Sequence, residues 1–266
     1  MLQINKDQLK QFYKKCQKDK LIGIDTEFYR VDTYYPKLCL IQLANKNDSI
    51  FLDPITQDLD YTLLRKLLFN TKIKKIFHAA RQDIEIFFNI YKKIPMPIYD
   101  MQIYLEQLGY SHSVSYAKAC QDLLDIQINK SNQFIDWRVR PLNQKKIQYA
   151  LNDVKHLIPI FNMIEKKVKI KNLTQIRSQH QKIINVKIYA DKIKNAWKKI
   201  KFRPCNRYEL DNLKKFSRLR EKIAIRENIP VRRVVSDKEI KLMCKHNIDK
   251  EIKKKIMLKF NVKKIH

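Results

Sequence analysis

Apolar positions recur along this chain with two different periods, and the alternation between them predicts its elements. Leu9, Phe12, Tyr13 and Cys16 fall at helical spacing, so residues 7–18 are read as an amphipathic helix lying on a sheet. Leu21–Phe28, Leu38–Ala44 and Ser49–Leu52 are short strand-type runs, and Asn45-Lys46-Asn47-Asp48 supplies turn chemistry between the last two. Lys75–Phe77 predicts a fourth strand leading into a helix with Ala80, Ile84, Phe87, Phe88 and Tyr91 on one stripe. Pro95 and Pro97 end that helix, and Ile98-Tyr99 makes a fifth strand. Beyond residue 101 the period is helical. It breaks around 129–140 and restarts after Pro141, where Asn143 can cap a helix carrying Ile147, Leu151, Val154, Ile158 and Phe161.

An antiparallel hairpin followed by strands alternating with helices indicates an α/β domain over residues 1–165. Residues 166–205 read as a Lys-rich, basic helical connector. Residues 206–266 read as a compact helical module, with Leu210, Leu213, Phe216, Leu219 and Ile223 on one stripe and a second helix after Ser236. No internal repeat is evident.

Composition adds a polyanion partner to this picture. The chain has 266 residues, 44% of them apolar, enough for a substantial core, and a formal net charge of +29. The charge is uneven: residues 1–165 hold 24 Lys and Arg against 18 Asp and Glu, whereas residues 166–266 hold 32 against 9. Codon bias competes as the source, because Lys, Ile and Asn dominate and only two glycines occur. Five cysteines, odd in number and never spaced C-x-x-C, fit a reducing compartment. No apolar run approaches the ~18 residues that span a bilayer, and the N-terminus has no apolar signal core. The expectation is a cytoplasmic protein with no membrane association and no obligatory protein partner.

Candidate chemistry lies in five side chains. Asp25 and Glu27 are one residue apart on a strand, so both carboxylates point to one face, and the run Leu21–Ile24 before them is apolar on both faces, as in a buried strand. Carboxylates there need a cation or a proton. Asp83 falls in the first turns of the helix after the fourth strand. Tyr149 and Asp153, four apart on a helix, share a face. Each feature alone is also ordinary structure. Together they suit a two-metal phosphodiesterase, in which oxygen ligands hold two hard divalent ions ~3.5–4 Å apart and a neutral tyrosine orients water. No Cys or His cluster offers a softer site.

The order and flanks of these residues resemble the ribonuclease D family of DEDD 3′–5′ exonucleases, in the branch whose third motif carries Tyr. The resemblance rests on Gly23-Ile24-Asp25-Thr26-Glu27-Phe28, Phe77-His78-Ala79-Ala80-Arg81-Gln82-Asp83 and Tyr149-Ala150-Leu151-Asn152-Asp153. Tyr99–Gln102, Leu108–Tyr110, Lys130-Ser131 and Asp136–Leu142 also fit. It implies an RNase H-like exonuclease core, a mixed sheet flanked by helices, with Asp25, Glu27, Asp83 and Asp153 as ligands of two Mg²⁺ or Mn²⁺ ions and Tyr149 positioning the nucleophilic water. The implied partner is RNA with a free 3′ end, typically a tRNA precursor, shortened by 5′-mononucleotides. His78, Gln82, Lys130, Trp137 and Arg140 sit in family-like segments, as substrate contacts or as folding residues. Asn195–Lys201, Leu219–Glu221, Asn228–Pro230 and Val234–Asp237 resemble the small all-α HRDC module that follows such nucleases, here in a single copy. Two other readings stay open: a DNA-directed exonuclease of the same fold, and a non-catalytic nucleic-acid-binding scaffold.

Overall fold

The computed structural model describes residues 5–56, 61–128 and 136–245. They form two compact units, one from the described residues within 1–29 and 37–185, the other from those within 30–36 and 186–266.

The first unit opens with α1 (Lys6–Asp19), which begins in a capping box between Asn5 and Gln8 and buries Leu9, Phe12 and Cys16. Strands β1 (Leu21–Tyr29), β2 (Lys37–Ala44) and β3 (Ser49–Leu52) follow, then α2 (Tyr61–Phe69), β4 (Lys74–Phe77), α3 (Arg81–Tyr91) and β5 (Ile98–Asp100). The sheet runs β3-β2-β1-β4-β5, with β1–β2 and β2–β3 antiparallel, and β1–β4 and β4–β5 parallel. It is therefore mixed, with β1 at its centre. The segment Leu21–Ile24 is buried on both faces, as its unbroken apolar run requires.

Helices α4 (Met101–Gln107), α5 (Tyr116–Leu124), α6 (Gln144–Lys155), α7 (Leu157–Lys167) and α8 (Ile170–Ile183) complete the unit. Asn143 caps α6 by accepting the Lys146 N–H at 2.9 Å. The stripe from Ile147 to Phe161 predicted one helix, but the chain breaks at His156 into α6 and α7. Pro159 gives the reason: its ring excludes the carbonyl four residues back, that of Lys155, the last residue of α6. The Tyr116 hydroxyl closes the break, donating to the Asn152 carbonyl at 2.9 Å and accepting the His156 N–H at 3.1 Å.

The second unit contains α9 (Val186–Ala190), a 3₁₀ turn at Ala196–Lys199, α10 (Arg207–Arg226), α11 (Val231–Val234) and α12 (Asp237–Lys245). Its core gathers Ile200, Leu213, Phe216, Ile223, Val234, Ile240 and Met243 together with Tyr34 from the β1–β2 loop. The Tyr34 hydroxyl donates to Glu221, which also receives Lys199 at 3.0 Å. Residues 166–205 are thus divided differently from the expected connector: α8 packs in the first unit through Ile176, and the chain from 186 belongs to the second. Burial decides this, because α8 has an inward apolar face that a solvated linker lacks. Among the described residues no helix is long and apolar enough to cross a membrane.

Candidate active site

Strand alternation puts Gly23, Asp25 and Glu27 on one face of β1, and α6 lies over that face. Gly23 sets the distance of approach: a Cβ there would stand 3.2 Å from the Leu157 side chain and 3.4 Å from the Val154 carbonyl. The close crossing delivers Asp153, one residue before Val154, to the two strand carboxylates. Asp25, Glu27 and Asp153 each offer an oxygen, and these three atoms lie within 4.8 Å of one another.

Asp83 reaches the cluster from the first turn of α3 and is buried. The Thr26 hydroxyl donates to its carboxylate at 2.5 Å. The turn before α3 is held in an unusual shape. Ala79 has φ 60°, and the N–H groups of Ala79 and Ala80 both donate to the buried Asp100 carboxylate, each at 2.9 Å. Asp100 also caps α4 through the Gln102 N–H at 3.0 Å, and its own N–H donates to His180 Nε2 on α8 at 3.0 Å. A left-handed alanine is costly, and Asp100 fixes it where α3 must start.

The electrostatics of the cluster are those of crowded anions with little water. The carboxyl of Asp25 is held far above the usual range, first by burial and then by Asp83, Asp153 and Glu27. Burial and the charges of Asp153 and Asp83 push Glu27 up to about 8. Burial also lifts Asp83 to about 7, against the lowering bond from Thr26, and Asp153 to about 7, against a lowering bond from Tyr149. Tyr149 is raised by burial and by Asp153, Glu27 and Asp25, so its hydroxyl stays neutral near pH 7. Such a group of oxygens, without sulfur or imidazole, suits a hard divalent cation.

All five residues singled out in the sequence therefore meet in one cluster: three carboxylates within reach of one another, with Asp83 and Tyr149 interacting with them. The secondary candidates separate. Trp137 is buried, with its ring 6.1 Å from that of Tyr149, and so supports the tyrosine from within the core. Arg140 has all five N–H donors engaged: two on Asp53 at 2.6 and 2.7 Å, the others on the Trp137, Val139 and Cys39 carbonyls. No donor remains for a phosphate. His78 bonds through Nε2 to the Val114 carbonyl at 2.9 Å, and burial lowers it to about 4, which keeps the ring neutral. Gln82 is exposed on the first turn of α3. Lys130 lies outside the described residues.

Three residues that shape the site carry no role in the sequence reading, where Thr26 and Asp100 stand only as members of family-like segments. Thr26 and Asp100 act on Asp83 and its turn, as above. Gln42 is the direct ladder partner of Asp25, is fully buried, and neither atom of its amide meets a partner among the described residues. A lone polar residue inside Leu40-Ile41-Gln42-Leu43-Ala44 was the available signal.

Comparison with known proteins identifies the family and the fold. A family profile described as 3′–5′ exonuclease matches residues 4–169. The chain is 39% identical over 217 residues to ribonuclease D of Bartonella henselae, covering 81% of the chain and 53% of that relative. It thus spans little more than half the length of this curated relative. Among solved structures, Escherichia coli RNase D, an exoribonuclease involved in structured RNA processing, superposes with a TM-score of 0.79 at 24% identity, over 97% of this chain and 74% of that one. Brucella melitensis NrnC with bound Mg²⁺ superposes with a TM-score of 0.59 at 21% identity, over 72% of this chain and 92% of that one. At these identities the superpositions speak for a shared fold.

Proposed function

The chain belongs to the 3′–5′ exonuclease family, and from that premise we propose that it removes 5′-mononucleotides from the free 3′ end of RNA by metal-assisted hydrolysis. The observation that carries the reading is the approach of Asp25, Glu27 and Asp153 to within 4.8 Å, with Asp83 beside them. Four carboxylates in a place that disfavours their charge are neutralised by protons or by a cation, and an all-oxygen set of this kind suits a divalent cation.

In this reading Asp25, Glu27, Asp83 and Asp153 hold two divalent ions, Mg²⁺ or Mn²⁺. When bound, such ions supply Lewis-acid stabilisation of the phosphoryl oxygens and a water of lowered pKa. The neutral Tyr149 hydroxyl, hydrogen-bonded to Asp153, orients the attacking water without adding charge. Thr26 fixes the Asp83 carboxylate, and Trp137 keeps the Tyr149 ring in place. RNA as substrate is supported by the name and identity of the Bartonella henselae relative. A tRNA precursor is the proposed natural substrate, and the second unit is read as an HRDC-like module.

The test is a 3′-extended tRNA incubated with the protein and Mg²⁺, its products resolved nucleotide by nucleotide. A ladder shortening from the 3′ end is expected, abolished by chelator and by Asp25→Asn. Cleavage that persists in Asp25→Asn, or a preference for matched DNA, would sink the reading.

A further inference from the structure

At the far end of α3 from Asp83, an open groove of about 510 Å³ runs between α1, α2 and the end of α3. Its cations are Arg65, Lys66 and Lys93, and no acidic side chain among the described residues lines it. None of the three cations forms an ion pair among the described residues. Between them stand the half-buried rings of Tyr13, Phe69 and Tyr91. Phe69 and Tyr91 meet edge to face with centroids 5.4 Å apart, and Lys93 Nζ lies 5.1 Å from the centre of the Phe69 ring.

Cations with no acidic partner among the described residues, beside partly exposed aromatic faces, are what a single nucleic-acid strand requires: phosphates take the cations, and bases stack on the rings without regard to sequence. An acidic peptide would use the cations but leave the rings idle. We propose that this groove is a second binding site for single-stranded RNA, separate from the carboxylate cluster, that retains the strand between successive removals at its 3′ end. Tyr91 follows Asp83 by eight residues on one helix, about 12 Å at the helical rise. One strand of a few nucleotides can therefore reach both places. The choice of RNA as the strand rests on the proposed function, whereas the binding itself does not require hydrolysis.

The experiment measures binding of a fluorescent 16-nucleotide single-stranded RNA to the full chain in chelator, across salt concentrations. Arg65→Ala, Lys66→Ala and Lys93→Ala are combined in one variant. A second variant, Lys166→Ala, Lys167→Ala and Lys169→Ala, removes equal charge elsewhere in the first unit. The groove variant is expected to bind at least about tenfold more weakly, with a log–log salt slope shallower by about 2, from three lost phosphate contacts on a single strand. The control variant should lose much less, and ultraviolet crosslinking should map adducts to Tyr13, Phe69 or Tyr91. Equal loss in both variants, displacement of RNA by polyglutamate at equal charge concentration, or crosslinks that avoid all three rings would overturn the proposal. Hydrolysis of a dinucleotide, too short for both sites, should be the same in the groove variant and the parent. If the parent hydrolyses nothing while the groove variant still loses RNA, the proposed function fails and the binding site stands.

Discussion

Replacing Gln42 by methionine is expected to stabilise the metal-free protein by roughly 1–3 kcal/mol, because a buried amide with no partner among the described residues carries its desolvation cost uncompensated. Thermal unfolding checks this, and a lowered midpoint would mean that the amide has a partner in solution. The crowded carboxylates give a second expectation. Their folded-state pKa values, about 7 for Asp83 and Asp153 and about 8 for Glu27, lie above unfolded values near ~4. Between those limits the folded state binds more protons than the unfolded one, so stability is fully present at low pH and falls as pH rises toward 8. Melting curves of the chelated protein should show that decline, and Asp153→Asn or added Mg²⁺ should flatten it. A midpoint that rises over the same range would contradict the crowding. At this scale the sequence was informative about charge and silent about partnership. Asp25, Glu27, Asp83, Tyr149 and Asp153 are recognisable by type and spacing. That Arg140 is fully engaged with Asp53 and three carbonyls depends on chain segments far apart, which no local pattern records.

Among the elements, the crossing of β1 by the α6–α7 junction controls the site. Gly23→Ala would place a methyl group against Leu157 and the Val154 carbonyl, so the junction must shift by a few tenths of an ångström. The expected cost is about 1–2 kcal/mol in stability, as for other overpacked sites. A larger proportional loss is expected in Mg²⁺ affinity by calorimetry, because Asp153 moves with the junction. Unchanged affinity would show that the cluster tolerates the displacement. Most elements were legible from periodicity: β1, β2, β3, β4 and α1 lie within a residue or so of their sequence-predicted bounds. Helix α2 was missed, although Leu64, Leu67 and Leu68 give it a buried stripe, because it is short and follows a run without clear period. The break at His156 was also missed, since the apolar stripe continues through it and only Pro159 marks the place.

For the whole molecule, the chain passes between its two units three times, since residues 30–36 belong with 186–266 while the strands on either side belong with the first. The domain boundaries expected from sequence run once along the chain and could not represent this, because seven residues without a strong pattern carry it. Truncation after residue 185 would strip Tyr34 of Glu221, Ile200 and Phe216. Hydrogen exchange of the truncated protein should lose protection across 30–36 and keep it in the central ladder of β1 and β2, whereas unchanged protection of 30–36 would show that the loop is held by other means. The same threading bears on how such a protein can be recombined. A chimera joined at a single point in this chain would pair a foreign helical unit with a native hairpin tip that no longer complements it. The tip and the C-terminal unit must be transplanted together, so they are inherited as one piece despite the 149 residues of sequence that separate them.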